Sequence, residues 1–121
     1  MSAGINFSSD TGTVFSNYLS AAPQALSGAG AVTVTQYKTN VTTTGANALT
    51  LADGTFLGQR KGIQLIVDGG DGTLTPANLT GGTTITFADV GDRAELIWDG
   101  SSWVVIDLYN CADGATAPVL A

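Results

Sequence analysis

Eight short runs rich in Val, Ile, Leu and Thr follow one another from Ala31 to about Leu108: AVTVTQYKT, NVTTT, NALTLAD, KGIQLIVDGG, DGTLTPA, TTITFADV, AELIWD and SWVVIDL. Each is closed by Gly, Asp, Asn or Pro, the residues that supply turns. β-Branched side chains suit a pleated strand, and the first run alternates Val32, Val34 and Gln36 against Thr33, Thr35 and Tyr37, the period of a half-buried one. No stretch in this zone carries a convincing helical period. The pattern predicts an all-β domain: a compact antiparallel barrel, sandwich or β-prism of short hairpins.

Two segments of different composition flank that zone. Residues 1–30 are rich in Ser, Ala, Gly and Asn, with apolar residues at Ile5, Phe7, Val14, Phe15, Tyr18, Leu19 and Leu26. Aromatic side chains are unusual in a wholly disordered tail, because they gain nothing without a surface to cover. Residues 1–30 therefore read as an N-terminal arm that orders on a partner or sister subunit, or else packs on its own domain. Residues 109–121, YNCADGATAPVLA, read as a second arm or a short strand, which leaves 31–108 as the β domain.

The hairpin AELIWDGSSWVVI, residues 94–106, holds both tryptophans of the chain. With Asp99-Gly100-Ser101-Ser102 as a four-residue connection, Trp98 faces Trp103 and Leu96 faces Val105 on one side, while Ile97 faces Val104 on the other. Both faces are then apolar, whereas a half-exposed antiparallel ribbon carries polar groups on one side. Leu96, Trp98, Trp103 and Val105 are thus expected in core or oligomer packing, with a neighbouring subunit as the second cover. An aromatic side chain removes roughly 150–250 Å² from water, worth several kcal/mol at about 25 cal/mol per Å². The alternatives for the pair are a stacking platform for sugar rings and a docking site for another protein.

Charge and residue content exclude several functions. The formal net charge is −6, and the cations are only Lys38, Arg60, Lys61 and Arg93, so no basic stripe is available to follow a nucleic-acid backbone. Only 12% of residues are charged, which suits a surface largely covered by neighbouring subunits better than a free enzyme surface. The absence of histidine leaves a serine or cysteine nucleophile without its usual base, and no enzyme is expected. The acidic residues Asp89, Asp92, Glu95, Asp99 and Asp107 read as turn and strand-end residues. DGGDG, residues 68–72, reads as a hairpin turn between IQLIV and TLTP, with a weak calcium site as the alternative; it departs from the EF-hand ligand pattern. Gly54, Gly58 and Gly62 lack the strand and helix context of a nucleotide loop. Arg60 and Lys61 read as strand-entrance charges paired with acidic residues of another subunit. No metal or organic cofactor is expected.

Cys111 is the single cysteine, so an intrachain disulfide is impossible; a buried or tail thiol and an interchain disulfide remain. MSAGINFSSD has neither the basic start nor the apolar run of a secretory signal, and no run approaches the roughly 20 apolar residues of a membrane span. The expectation is maturation in the cytoplasm with no membrane partner.

The segments LTLADGT, GQRKGIQL, DGGDGTLTPANLTGGTTITF and VGDRAELIWDGSSW, with the apolar strand that closes residues 46–106, resemble a β-rich module of structural proteins of tailed bacteriophages, particularly marine and cyanobacterial phages. The resemblance covers about half the chain and lies in the ordered pattern, without a catalytic signature. It implies a virion protein, commonly trimeric, such as a capsid decoration (cement) protein on the outer surface of the head. Its partner would be the major capsid protein. Under that reading Ile5, Phe7, Phe15, Tyr18 and Leu19 are the arm residues that bind the capsid or a sister subunit. A tail fibre or spike-associated module and a virion carbohydrate-binding module are the alternatives.

Overall fold

The computed structural model describes residues 18, 21–112 and 116–121, among which ten strands form two five-stranded sheets. The first sheet has the order β1 (Gln24–Ser27), β3 (Lys38–Thr42), β5 (Arg60–Val67), β8 (Asp92–Trp98), β9 (Trp103–Asn110). The second has the order β10 (Val119–Leu120), β7 (Ile85–Phe87), β6 (Gly72–Pro76), β4 (Asn47–Leu51), β2 (Gly30–Val32). The expected all-β architecture is present, as a sandwich and not as a barrel or prism. Strands β1 and β10 fall inside the segments read as arms, 1–30 and 109–121.

The expected predominance of antiparallel hairpins is corrected. Four of the eight strand pairings are parallel: β1 with β3, β3 with β5, β2 with β4, and β4 with β6. The chain enters the first sheet at β1, crosses to the second at β2, returns for β3, and repeats the circuit through β4, β5 and β6. Three β-arches are thereby stacked, each bringing one strand to either sheet. This is the logic of a solenoid, in which each unit buries its apolar side by lying on the next.

DGGDG is the clearest consequence. It joins β5 of one sheet to β6 of the other, so it is an arch and not the hairpin turn expected from its composition. The arch lies directly on the one before it: Thr43 N donates to Val67 O at 2.9 Å, and Asn47 N to Asp71 O at 3.0 Å. Thr43 Oγ1 accepts from Gly69 N at 2.9 Å and donates to Gly70 O at 2.7 Å. A Cβ on Gly69 would lie 2.2 Å from Thr43 O, and one on Gly70 would lie 2.5 Å from the Gly45 carbonyl carbon. The two glycines are required by backbone stacking.

The run AVTVTQYKT is likewise not one strand. Val32 ends β2 and Lys38 begins β3, and the residues between them carry the chain back to the first sheet. Thr33 Oγ1 accepts from Thr35 N at 3.1 Å, a local turn bond that competes with a strand ladder. Gln24 Oε1 accepts from Thr33 N at 2.9 Å, which holds the crossing against β1.

Side chains of alternate residues from both sheets meet in rows between them. Leu26, Val41 and Leu65 form one row in the first sheet; Leu49, Leu74 and Ile85 form one in the second. The core adds Val32, Leu51, Ile63, Phe87, Ala94, Leu96, Trp98 and Trp103. The β8–β9 hairpin closes the first sheet on the side away from β1.

Candidate functional site

The hairpin register is the one expected: Leu96 opposes Val105, Ile97 opposes Val104, and Trp98 opposes Trp103. Trp98 and Trp103 meet edge to face, with centroids 5.4 Å apart. Trp103 is fully buried and Trp98 only 6% exposed. Trp103 Nε1 donates to Ala52 O at 2.8 Å. Gly54 sits against the Trp98 ring so closely that a Cβ there would be 2.3 Å from Cγ. The loop after β4 thus closes over the pair, and Leu96, Trp98 and Trp103 belong to the domain's own core, with Val105 half-buried against it. Enclosed in this way, neither indole offers a free face for stacking on a sugar ring. The opposite side of the hairpin, Ile97 and Val104, is half-buried.

Of the arm residues, Ile5, Phe7, Phe15 and Leu19 lie outside the described residues, and Tyr18 lies within them. Tyr18 is 6% exposed, and its hydroxyl donates to Arg60 O. Its ring meets Tyr37 and Phe56 edge-on, at centroid distances of 6.4 and 5.9 Å. Burial pushes its phenol up to about 12. Nearby, Tyr37 OH donates to Glu95 Oε1 at 2.5 Å, and Arg93 Nε binds Glu95 Oε2 at 2.7 Å. A Cβ on Gly62 would be 2.8 Å from Glu95 Oε2, so the glycine clears room for this cluster. Gly62 has a packing role that its sequence context did not reveal.

Lys61 corrects another expectation. It occupies the core face with Ile63 and Leu65, is fully buried, and cannot reach an acidic residue of another subunit. Its Nζ donates to Gln36 O and Thr39 Oγ1, both at 2.8 Å; Thr39 in turn donates to Gln24 Oε1 at 2.8 Å. Burial pushes the ammonium down to about 7. The unfolded lysine titrates near 10.4, so the unfolded chain binds more protons between these values and stability rises with pH across that window. Lys61 is expected to contribute a slope of about 1.4 kcal/mol per pH unit at most, read from urea melts at pH 7–10, and Lys61→Met is expected to flatten it. Above roughly pH 10 the buried Tyr18 phenol acts in the opposite sense, since its neutral form is the one the fold favours. Identical pH profiles for wild type and Lys61→Met would contradict this assignment. Arg60, one position earlier, is exposed.

The remaining acidic groups are largely structural. Asp92 is fully buried; its Oδ2 accepts from Ala88 N and Asp89 N, and its Oδ1 from Asn110 Nδ2. Asp99 Oδ1 accepts from Ser102 N and Ser101 N at 2.8 Å each, which closes the hairpin turn and holds the carboxyl below the usual carboxylate range. Asp68 Oδ1 accepts from Gly70 N at 3.0 Å within the arch. Among the described residues no group of three or more His, Cys, Asp or Glu is placed to hold a metal ion. Cys111 is exposed just beyond β9, with Sγ 3.2 Å from Gly91 O.

The site and fold define a class by construction alone: an all-β sandwich of stacked arches closed by a tryptophan hairpin, with an anchored tyrosine at the root of its N-terminal segment. No known family profile matches the chain, and no curated protein sequence matches it.

Proposed function

We propose that the protein is a capsid decoration, or cement, protein of a tailed phage, binding the outer surface of the major capsid protein shell as a trimer and stabilising the head. The resemblance of residues 46–106 supplies the virion context. The observation that carries the reading is the anchoring of Tyr18 on the sandwich, a fixed point next to the segment read as an arm, which bears Ile5 and Phe7. A rigid body with a rooted arm is what bridging two neighbouring capsid subunits requires. Three arms on one trimer act together through effective concentration, so weak individual contacts yield high occupancy. Binding only the assembled shell stabilises that shell by mass action.

Deletion of residues 1–17 tests the arm. The truncated protein retains Tyr18 and is expected to stay folded and oligomeric while losing most of its binding to undecorated capsids in a co-sedimentation assay. Undiminished binding would remove the arm from the account. A fibre or spike-associated module is the second reading, favoured by the arch stack itself. Strands β1 and β2 form sheet edges in the same arch, a geometry suited to continued end-to-end stacking.

A further inference from the structure

Among the described residues the two sheets end in β1 and β9, and in β10 and β2, and all of these edges but β1 are guarded against pairing. The outward groups of β2 are taken by a side chain: Gln24 Nε2 donates to Ala31 O at 3.0 Å, and Gln24 Oε1 accepts from Thr33 N at 2.9 Å. On β9, Trp103 is bonded to Asn78 O and Thr80 N, and farther along come the bulge at Ile106 and the exposed Asp107. β10 is two residues long. Shortness, bulges and charge are devices by which an edge avoids another strand.

The β1 edge has neither charge nor bulge, and its register with β3 is unbroken. Gly28 N donates to Thr42 O at 2.9 Å, and alternate residues of a parallel strand bond opposite neighbours. Leu26 and Gly28 therefore bond toward β3. Ala25 and Ser27, both exposed, turn N–H and C=O outward, where no described residue bonds them.

Two further features define the occupant. Leu26 shares the inner row with Val41 and Leu65, which are at most 1% exposed, yet is only half-buried, so the row is open at its β1 end. Between Asp10 and Lys38 the sequence holds no charged residue, and a chain of net charge −6 meets another copy of itself with least repulsion at such an end.

We infer that β1 pairs antiparallel with β1 of a second copy about a two-fold axis at Leu26. Ala25 of each chain exchanges both backbone hydrogen bonds with Ser27 of the other. The two Leu26 side chains meet and complete the row, and the two five-stranded sheets become one continuous sheet. Such a contact uses each β1 edge once and closes, unlike the open stacking of a fibre. It involves none of the arm residues and is measured without capsids, so it and the decoration reading can fail separately.

The test is amide hydrogen exchange and sedimentation of the full chain, together with NMR of a sample mixing labelled and unlabelled protein. The Ala25 and Ser27 amides are expected to be protected in the assembled protein, with contacts between Ala25 of one chain and Ser27 of another. Ala25→Pro removes an outward donor and no bond to β3, and Ala25→Lys puts a charge on the edge. Each variant should keep the Leu65 and Leu74 signals in place while losing the contacts and sedimenting as a smaller particle. Free exchange at Ala25 and Ser27 in the wild-type protein, or unchanged sedimentation of both variants, would overturn the inference. So would protection without contacts between differently labelled chains, which would make a segment of the same chain the occupant.

Discussion

Trp103→Ala is expected to destabilise the protein by about 3–5 kcal/mol, a large share of the roughly 5–15 kcal/mol that holds a domain together. Trp103 is fully buried, edge-on to Trp98, and its indole N–H satisfies Ala52 O. Truncation opens a cavity at the join of both sheets and the loop after β4, and leaves that carbonyl unpaired. Trp103→Phe keeps most of the packing and loses the hydrogen bond, so it should cost about 1–2 kcal/mol. Urea melts followed by Trp98 fluorescence separate the two variants. A loss below about 1 kcal/mol for the alanine variant, within the range of surface changes or little more, would mean that the hairpin is not part of the core.

Gly69→Ala should cost about 3 kcal/mol, the upper end of ordinary overpacking. The added methyl would meet Thr43 O at 2.2 Å and its carbon at 2.9 Å, both backbone atoms of the arch beneath. Relief requires the two arches to separate, which also breaks the Thr43 hydroxyl bonds to Gly69 and Gly70. Gly45→Ala is the control, since a Cβ there meets nothing within 4 Å. It should change stability by no more than about 0.5 kcal/mol, as surface substitutions do. Equal effects at the two positions in thermal melts would contradict the stacked-arch description.

The hairpin register next to the turn was legible because what sets it there is local: an Asp-Gly turn with a tryptophan at each end. The arches were not legible for the converse reason. A Gly-rich turn ends a strand equally well whether the next strand pairs with it or crosses to the facing sheet; what decides is contact with an arch some 25 residues earlier, Thr43 under Gly69. AVTVTQYKT shows the same limit, its alternation being genuine on either side of a crossing that threonine hydroxyls bend locally. Lys61 was misread although the signal was present. It stands two and four residues before Ile63 and Leu65 on one strand face, and that spacing predicts an inward side chain. Tyr18 carried no signal of its destination, because Tyr37, Phe56 and Arg60 come together only through the fold.

A sandwich with Tyr18 anchored on it is the geometry on which the proposed capsid reading depends, and location on the particle tests it most directly. The measurement is imaging of undecorated heads mixed with the purified full-length protein. The account predicts added density repeated at regular sites over the whole outer surface of the head, in clusters of three. Bare heads, or copies confined to a single vertex or the tail, would contradict it.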